Sequence, residues 1–194
     1  TMTSFQERAV LRDWVALNYL GRGEIVEIGA LAGASTVALA MGAKMSGFFY
    51  RLSVYDNFLF PTGMYEQEYR RRMPIDGPGF RSVYEACTAG AAPLNTIEGD
   101  AVVAELPKQS IEILHLDCAI SEDFHRAIYA RFFPLLIEGA TLVQQDFGWK
   151  QAPYIREFMG RLASWFEHKM DVETSRYFVV KKAMTAEDVK GALA

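Results

Sequence analysis

Four acids, one glycine-spaced turn and two histidines hold the chemistry legible in this chain. Glu27 stands at the end of a short apolar run, Glu24–Ile28, and a turn of small residues follows, Gly29-Ala30-Leu31-Ala32-Gly33. Gly33, Ala34 and Ser35 then open a helix. Small residues let a ligand lie against the backbone, and a helix start presents unpaired N–H groups. The spacing is Gly-x-x-x-Gly, not the Gly-x-Gly-x-x-Gly of dinucleotide-binding turns. An acid two residues before the first glycine is a poor neighbour for a pyrophosphate and a good one for an ammonium group. The plainer alternative is a strand-to-helix turn with no ligand. Three more acids follow apolar runs: Asp56 after Arg51–Tyr55, Asp117 after Ile111–Leu116, and Asp146 just past Ala140–Gln144. A lone acid after a strand is usually a turn or cap residue. As a set at strand ends they read as one site.

The elements that would position these acids follow from periodicity. Residues 4–20 read as an amphipathic helix, with Phe5, Ala9, Val10, Trp14 and Leu17 near helical spacing. Strands are expected at Glu24–Ile28, Arg51–Tyr55, Leu94–Glu98, Ile111–Leu116 and Ala140–Gln144. Helices are expected over Ala34–Lys44, Ala101–Leu106, Glu122–Leu136 and Ala152–Ala163. Trp165–Met170 and Arg176–Lys181 read as a closing antiparallel pair. Thr185 caps a last short helix, with Glu187 and Asp188 in its first turn. Strands alternating with helices predict an α/β fold, a largely parallel, doubly wound sheet with helices on both faces. Ligands in such sheets bind beyond the carboxyl ends of the strands, at the switch point.

Length and composition fit one domain spanning 1–194 with a real core. The formal net charge of -4 does not favour nucleic acid or an anionic membrane surface as partner. No apolar run reaches the ~18 residues of a membrane span, and the polar start, Thr1 to Arg12, does not read as a signal peptide. Cys87 and Cys118 lack metal-ligand spacing, so a reduced, cytoplasmic setting is expected.

The turn from Gly23 to Thr36 resembles the first motif of class I S-adenosylmethionine (SAM) dependent methyltransferases. That resemblance implies a Rossmann-like seven-stranded sheet, with SAM as cofactor and S-adenosylhomocysteine as product. It assigns Glu27, Gly29, Ala30, Gly33 and Ser35 to cofactor binding, with Glu27 helping to hold the methionine amino group. Asp56, with Asn57 beside it, would bond the ribose hydroxyls, and a carboxylate can accept both. Asp100 and Ala101 would meet the adenine, although Asp100 equally suits the N-cap of the next helix. Further on, His115-Leu-Asp117-Cys-Ala119-Ile-Ser-Glu122 and Gly139 through Gly148 are similar to motifs of the macrocin O-methyltransferase group, which methylates sugar hydroxyls of natural products. Asp117, Glu122, Gly139, Asp146 and Gly148 match. Ala119 replaces an acid that is a candidate base in that group, Gln145 replaces the first of two paired acids, and Phe147 stands for a tyrosine.

In that group one acid after strand four and two after strand five hold a divalent metal. The corresponding set is Asp117, Gln145 and Asp146, three oxygen donors with two charges. That set allows a weak Mg²⁺ site or none. Asp117 also borders the cofactor. Removing a hydroxyl proton needs a base or a metal, and Asp117, His125 and Asp146 are the candidates. His115 reads as a packed core residue, and His125 as either a surface residue or a base.

The segment 57–95 is too long for a simple crossover and reads as a lid-like insertion. It carries Phe58, Phe60, Tyr65, Tyr69, Phe80 and Tyr84, and Arg70-Arg71-Arg72. A solvated helix over Met64–Met73 is the alternative. The expected partner is a small-molecule acceptor, with a homodimer allowed. Three functions follow: an O-methyltransferase, a metal-free N-methyltransferase, and a module that binds SAM or its product with little catalysis.

Overall fold

The computed structural model describes residues 3–60, 67, 70, 71, 77–91 and 93–194. The chain opens with α1, Phe5–Asn18. Ser4 caps it: Glu7 N–H donates to Ser4 Oγ at 3.0 Å, and Ser4 N–H donates to Glu7 Oε2 at 2.9 Å. This reciprocal capping box satisfies two orphan donors. Then follow β1 (Glu24–Ile28), α2 (Ala34–Ser46), β2 (Leu52–Asp56), α3 (Arg81–Thr88), β3 (Leu94–Glu98), β4 (Ile111–Leu116) and α4 (Glu122–Phe132). The rest is β5 (Leu136–Gln144), α5 (Pro153–Arg161), β6 (Phe166–Val172), β7 (Ser175–Val180) and α6 (Ala186–Leu193).

The seven strands form one sheet in the order β3-β2-β1-β4-β5-β7-β6. β1 to β5 run parallel, and β7 lies antiparallel between β5 and β6. Alternation in each strand feeds two cores. Ile25, Leu52, Val54 and Ile113 pack under α1, α2 and α3, while Val26, Ile28, Leu114 and Leu116 pack under α4, α5 and α6. That is how a parallel sheet hides both faces. The chain reverses its strand order between β1 and β4, so the switch point falls there. Register aligns the strand ends: Ile28 pairs with Tyr55 and with Leu116, and Leu116 pairs with Gln144. Gly29, Asp56, Asp117 and Gln145 therefore emerge side by side.

The structure departs from expectation in three places. Ala101–Leu106 is not a helix. Asp100 Oδ1 accepts from Val102 N–H at 2.8 Å, and its carbonyl accepts from Val103 and Ala104, which makes a single turn. The helix after Asp117 stops at Phe132 because Pro134 permits only a 3₁₀ turn, Phe133–Leu135, before β5 begins at Leu136. In the long segment, Phe58, Phe60, Phe80 and Tyr84 are buried against one another, with ring centroids 4.9–5.9 Å apart. These four belong to the core, not to a lid. The helix expected at Met64–Met73, with Tyr65, Tyr69 and Arg72, lies largely outside the described residues. Arg70 lies 4.6 Å over the Phe60 ring.

Candidate functional site

The turn after β1 is held open in left-handed backbone. Gly29 has φ +88°, Leu31 +48° and Gly33 +85°. Leucine pays a steric penalty there, and Asp56 offsets it. Asp56 Oδ2 accepts from Ala30 N–H at 2.8 Å and Leu31 N–H at 2.9 Å, while Oδ1 accepts from Phe58 N–H at 2.7 Å. Burial pushes the Asp56 carboxyl up, against these three bonds, which pull it down. Three of the four acceptor positions of the carboxylate are thus spent on backbone. One position, on Oδ1, remains for a ribose hydroxyl, not the two expected. Asn57 beside it is exposed, with its Oδ1 accepting from Leu59 N–H.

The glycines make room for protein. A Cβ on Gly29 would lie 2.0 Å from the Asp117 carbonyl oxygen. A Cβ on Gly33 would meet Thr88 Cγ2 of α3 at 2.4 Å. Both positions were expected to leave space for the ligand. Their first requirement is the close approach of β1 to β4 and of α2 to α3. No side chain caps α2, whose N-cap is Gly33, so its first N–H groups are left for ligand or water. Ser35 is buried.

Glu27 was expected to meet an ammonium group, but it has no exposed surface. Its Oε2 accepts from Thr36 Oγ1 of α2, and its Oε1 lies 3.5 Å from His115 Nδ1. Glu27 therefore ties the turn to the sheet from below. Burial lowers the affinity of His115 for a proton, but Glu27, Asp117 and Glu7 outweigh it and the imidazole is raised.

At the end of β4, Asp117 is half-buried. Burial raises its carboxyl to about 7, with His115 pulling down and Asp146, Glu27 and Glu7 pushing up. Asp146, at φ +58°, is raised by burial and by Glu7. His125 was weighed as a surface residue; it is 1% exposed. Its Nδ1 faces the Ser121 carbonyl at 3.3 Å, which leaves Nε2 as the lone-pair nitrogen, and no partner meets it. Tyr154 and Tyr129 flank the ring at 5.2 and 5.7 Å. Burial lowers its pKa to about 4, so it is neutral at pH 7.

Gln145 does not join Asp117 and Asp146 as an oxygen donor. Its Oε1 accepts from Ser175 Oγ, and its Nε2 donates to Thr174 Oγ1 at 2.8 Å and to Glu7 Oε1 at 3.1 Å. Among the described residues no group of three His, Cys, Asp or Glu side chains forms a metal-ligating cluster. The three-donor set read from the sequence is not assembled. Asp100 is exposed beside Asp56, since Gly99 N–H donates to the Asp56 carbonyl at 3.0 Å, and Ala101 is buried beneath it.

Sequence reasoning missed Glu7, Thr174 and Ser175, which hold Gln145, and Tyr154, which packs on His125. The Ser4-x-x-Glu7 pattern marks a helix start; nothing in it announces a second duty 167 residues away.

No protein-family model matches the chain, and no curated protein matches it. Solved structures share its fold. The O-methyltransferase NovP superposes with a TM-score of 0.71 at 14% identity, over 94% of this chain and 82% of that one. CalS11, a TDP-rhamnose 3'-O-methyltransferase of calicheamicin biosynthesis, gives 0.63 at 16%, over 91% and 80%. Cofactor-bound Rv0187 from MTB gives 0.63 at 16%, over 93% and 82%. The seven-stranded Rossmann-like fold of methyltransferases is therefore shared across the described chain. No helix among the described residues is long and apolar enough to cross a membrane.

Proposed function

We propose that this protein is a SAM-dependent methyltransferase that methylates a hydroxyl of a small metabolite, a sugar or a natural product. The observation that carries the reading is Asp117. It sits at the switch point beside the left-handed turn, with its carboxyl raised to about 7 by burial. A carboxyl poised near neutral pH is matched to taking a hydroxyl proton. The likeness in fold to NovP and CalS11, both O-methyltransferases, supports the class.

The donor set fits SAM. Asp56 Oδ1 keeps one acceptor position for a ribose hydroxyl, Asn57 and Asp100 are exposed beside it, and the uncapped start of α2 offers N–H groups. When bound, the cofactor supplies a methyl group already activated by its sulfonium. The residues of the chain then have two tasks: to align the acceptor oxygen and to take its proton. Asp117 takes the proton. His125, 1% exposed with its Nε2 enclosed, packs against Tyr129 and Tyr154 and makes no contact with the acceptor in this reading. Asp146 adds negative charge that keeps Asp117 basic. Mg²⁺ has no part in this reading, because Gln145 is held by Ser175, Thr174 and Glu7.

A second reading has one observation in its favour. Ala119 stands where the macrocin group has a candidate base, and a domain that binds SAM or its product without turnover would tolerate that. Calorimetric titration with S-adenosylhomocysteine tests binding, and methyl transfer to a panel of glycosides and phenols tests turnover. Binding without transfer across the panel favours the second reading; absence of binding defeats both.

A further inference from the structure

The connection from β3 to β4, residues 99–110, contains no helix. With Pro93 it borders the amino-terminal ends of β1, β2 and β3, the end of the sheet opposite the turn and Asp117. A groove of about 560 Å³ opens there, inside the ~300–1,000 Å³ range of small-molecule sites. Its polar floor is a relay of three side chains on adjacent strands. Asn95 Nδ2 donates to Ser53 Oγ at 3.2 Å, and Ser53 Oγ donates to Glu24 Oε2 at 3.0 Å.

Glu24 is the unusual member. It begins β1 and is 4% exposed. Among the described residues it makes no ion pair, and its one hydrogen-bond partner is a neutral hydroxyl. A buried carboxylate without a cation is costly, and proteins rarely leave one so. The rest of the lining is largely apolar, with Tyr55, Ile97 and Leu106 on the sheet face that Glu24 shares and Phe49 exposed at the rim, Arg51 lying 5.9 Å over its ring. A buried carboxylate in an apolar groove suits an organic cation, whose charge it pairs with and whose carbon chain the lining buries. The charged groups at the rim are Arg51, Glu105 and Lys108, all exposed to solvent, where screening weakens them relative to the buried Glu24.

We propose that this groove is a binding site for a small organic amine, whose ammonium group pairs with Glu24 and whose carbon chain lies along Tyr55, Ile97 and Leu106. The site is independent of the reaction proposed above and requires no SAM. The ammonium could come from a free diamine or from an amino acid, and the test separates these two.

The test is a protein-observed NMR titration with putrescine, 4-aminobutyrate and 1,4-butanediol. Putrescine, 4-aminobutyrate or both should give saturable shifts at residues 51–55 and 94–97 below about 10 mM, which is a weak but specific range. The diol should not saturate. Glu24→Gln, which keeps shape and the bond from Ser53, should weaken amine binding by about tenfold or more. Asn95→Phe, an exposed edge-strand change that fills the groove, should abolish it even if Glu24→Gln fails to fold. Diol binding equal to that of the amines, no saturable shift with either amine, or undiminished binding in a folded Glu24→Gln or Asn95→Phe variant would overturn the proposal. Loss of S-adenosylhomocysteine binding in other variants leaves this result untouched, so the two ideas fail separately.

Discussion

Removing the Glu7 carboxylate should loosen the site from behind, and the structure sets the size of the effect. Glu7 is 3% exposed, and its Oε1 accepts from Thr174 N–H at 3.2 Å, Thr174 Oγ1 at 2.9 Å and Gln145 Nε2 at 3.1 Å, with Ser175 Oγ, whose proton goes to Gln145 Oε1, alongside at 3.0 Å. In Glu7→Ala, Gln145 Nε2 keeps Thr174 Oγ1, and Ser175 keeps Gln145 Oε1. The Thr174 N–H loses the only partner it has in this cluster. A bared donor costs about 1–3 kcal/mol, and the lost half of the capping box adds about 1. The expected loss for Glu7→Ala is about 2–4 kcal/mol. Glu7→Gln keeps one oxygen but turns an amide toward Ser4 N–H, so about 1–2 kcal/mol is expected. Urea unfolding reads both as shifts in midpoint at constant slope. The pH dependence supplies an internal check. Burial pushes Glu7 up, but its hydrogen bonds win, and its pKa lies below the ordinary 4.5. A depressed folded pKa gives stability that is complete above the unfolded value and lost as pH falls through the folded one. The gap between the wild type and Glu7→Gln should therefore be constant near neutral pH and close in acid below 4.5. Both variants within about 0.5 kcal/mol of wild type, the range of ordinary surface changes, would refute the reasoning.

The other predictions concern the site itself. Asp56→Ala should weaken S-adenosylhomocysteine mainly by releasing Ala30, Leu31 and Phe58 N–H groups, so melting temperature should fall along with affinity; lower affinity at unchanged stability would mean that ligand contact dominates. Methyl transfer should rise with pH through about 7 as Asp117 ionises, and Asp117→Asn should flatten that limb and cut the rate at least about 100-fold, the low end for a general base; a retained limb would assign the base elsewhere. His125 is lowered to about 4 from 6.5, so the folded state resists a proton that the unfolded chain accepts; its contribution to stability is complete above 6.5 and lost as pH falls toward 4, and His125→Phe should remove that slope from pH-dependent unfolding. Gln145→Asp should destabilise by setting a carboxylate against Glu7 and should not tighten Mg²⁺; a calorimetric Mg²⁺ response in the variant would show that the network yields to a metal.

What could be read in advance depended on how local each constraint is. The strands at Glu24–Ile28 and Ile111–Leu116 are written in mostly apolar segments, and the parallel order follows once helices alternate with them. The gathering of Asp56, Asp117 and Asp146 followed from the rule that parallel strands end together, and the registers at Ile28 and Leu116 give the reason. The direction of each side chain was not legible. Glu27, next to last in β1, and Asp117, just past the end of β4, read alike as acids at strand ends, yet Glu27 is enclosed beneath α2 while Asp117 is half-exposed. Pleat parity does not separate them, because Glu27 pairs with His115, two residues before Asp117. Glu27 lies inside β1, where Thr36 and His115 reach it from a helix and another strand, whereas Asp117 lies one residue past the end of β4. Gln145 shows the same limit more sharply. Read in its own segment it is a weakened metal ligand. In the fold it is the middle of a chain from Ser175 to Glu7, and its amide is used at both ends, donor and acceptor. A carboxylate at that position could accept from Ser175 but could donate nothing to Glu7. The glutamine is therefore explained by a residue near the start of the chain. The glutamine that reads as a weakened metal ligand is, in the structure, what allows the start of α1 to lock the β6–β7 turn.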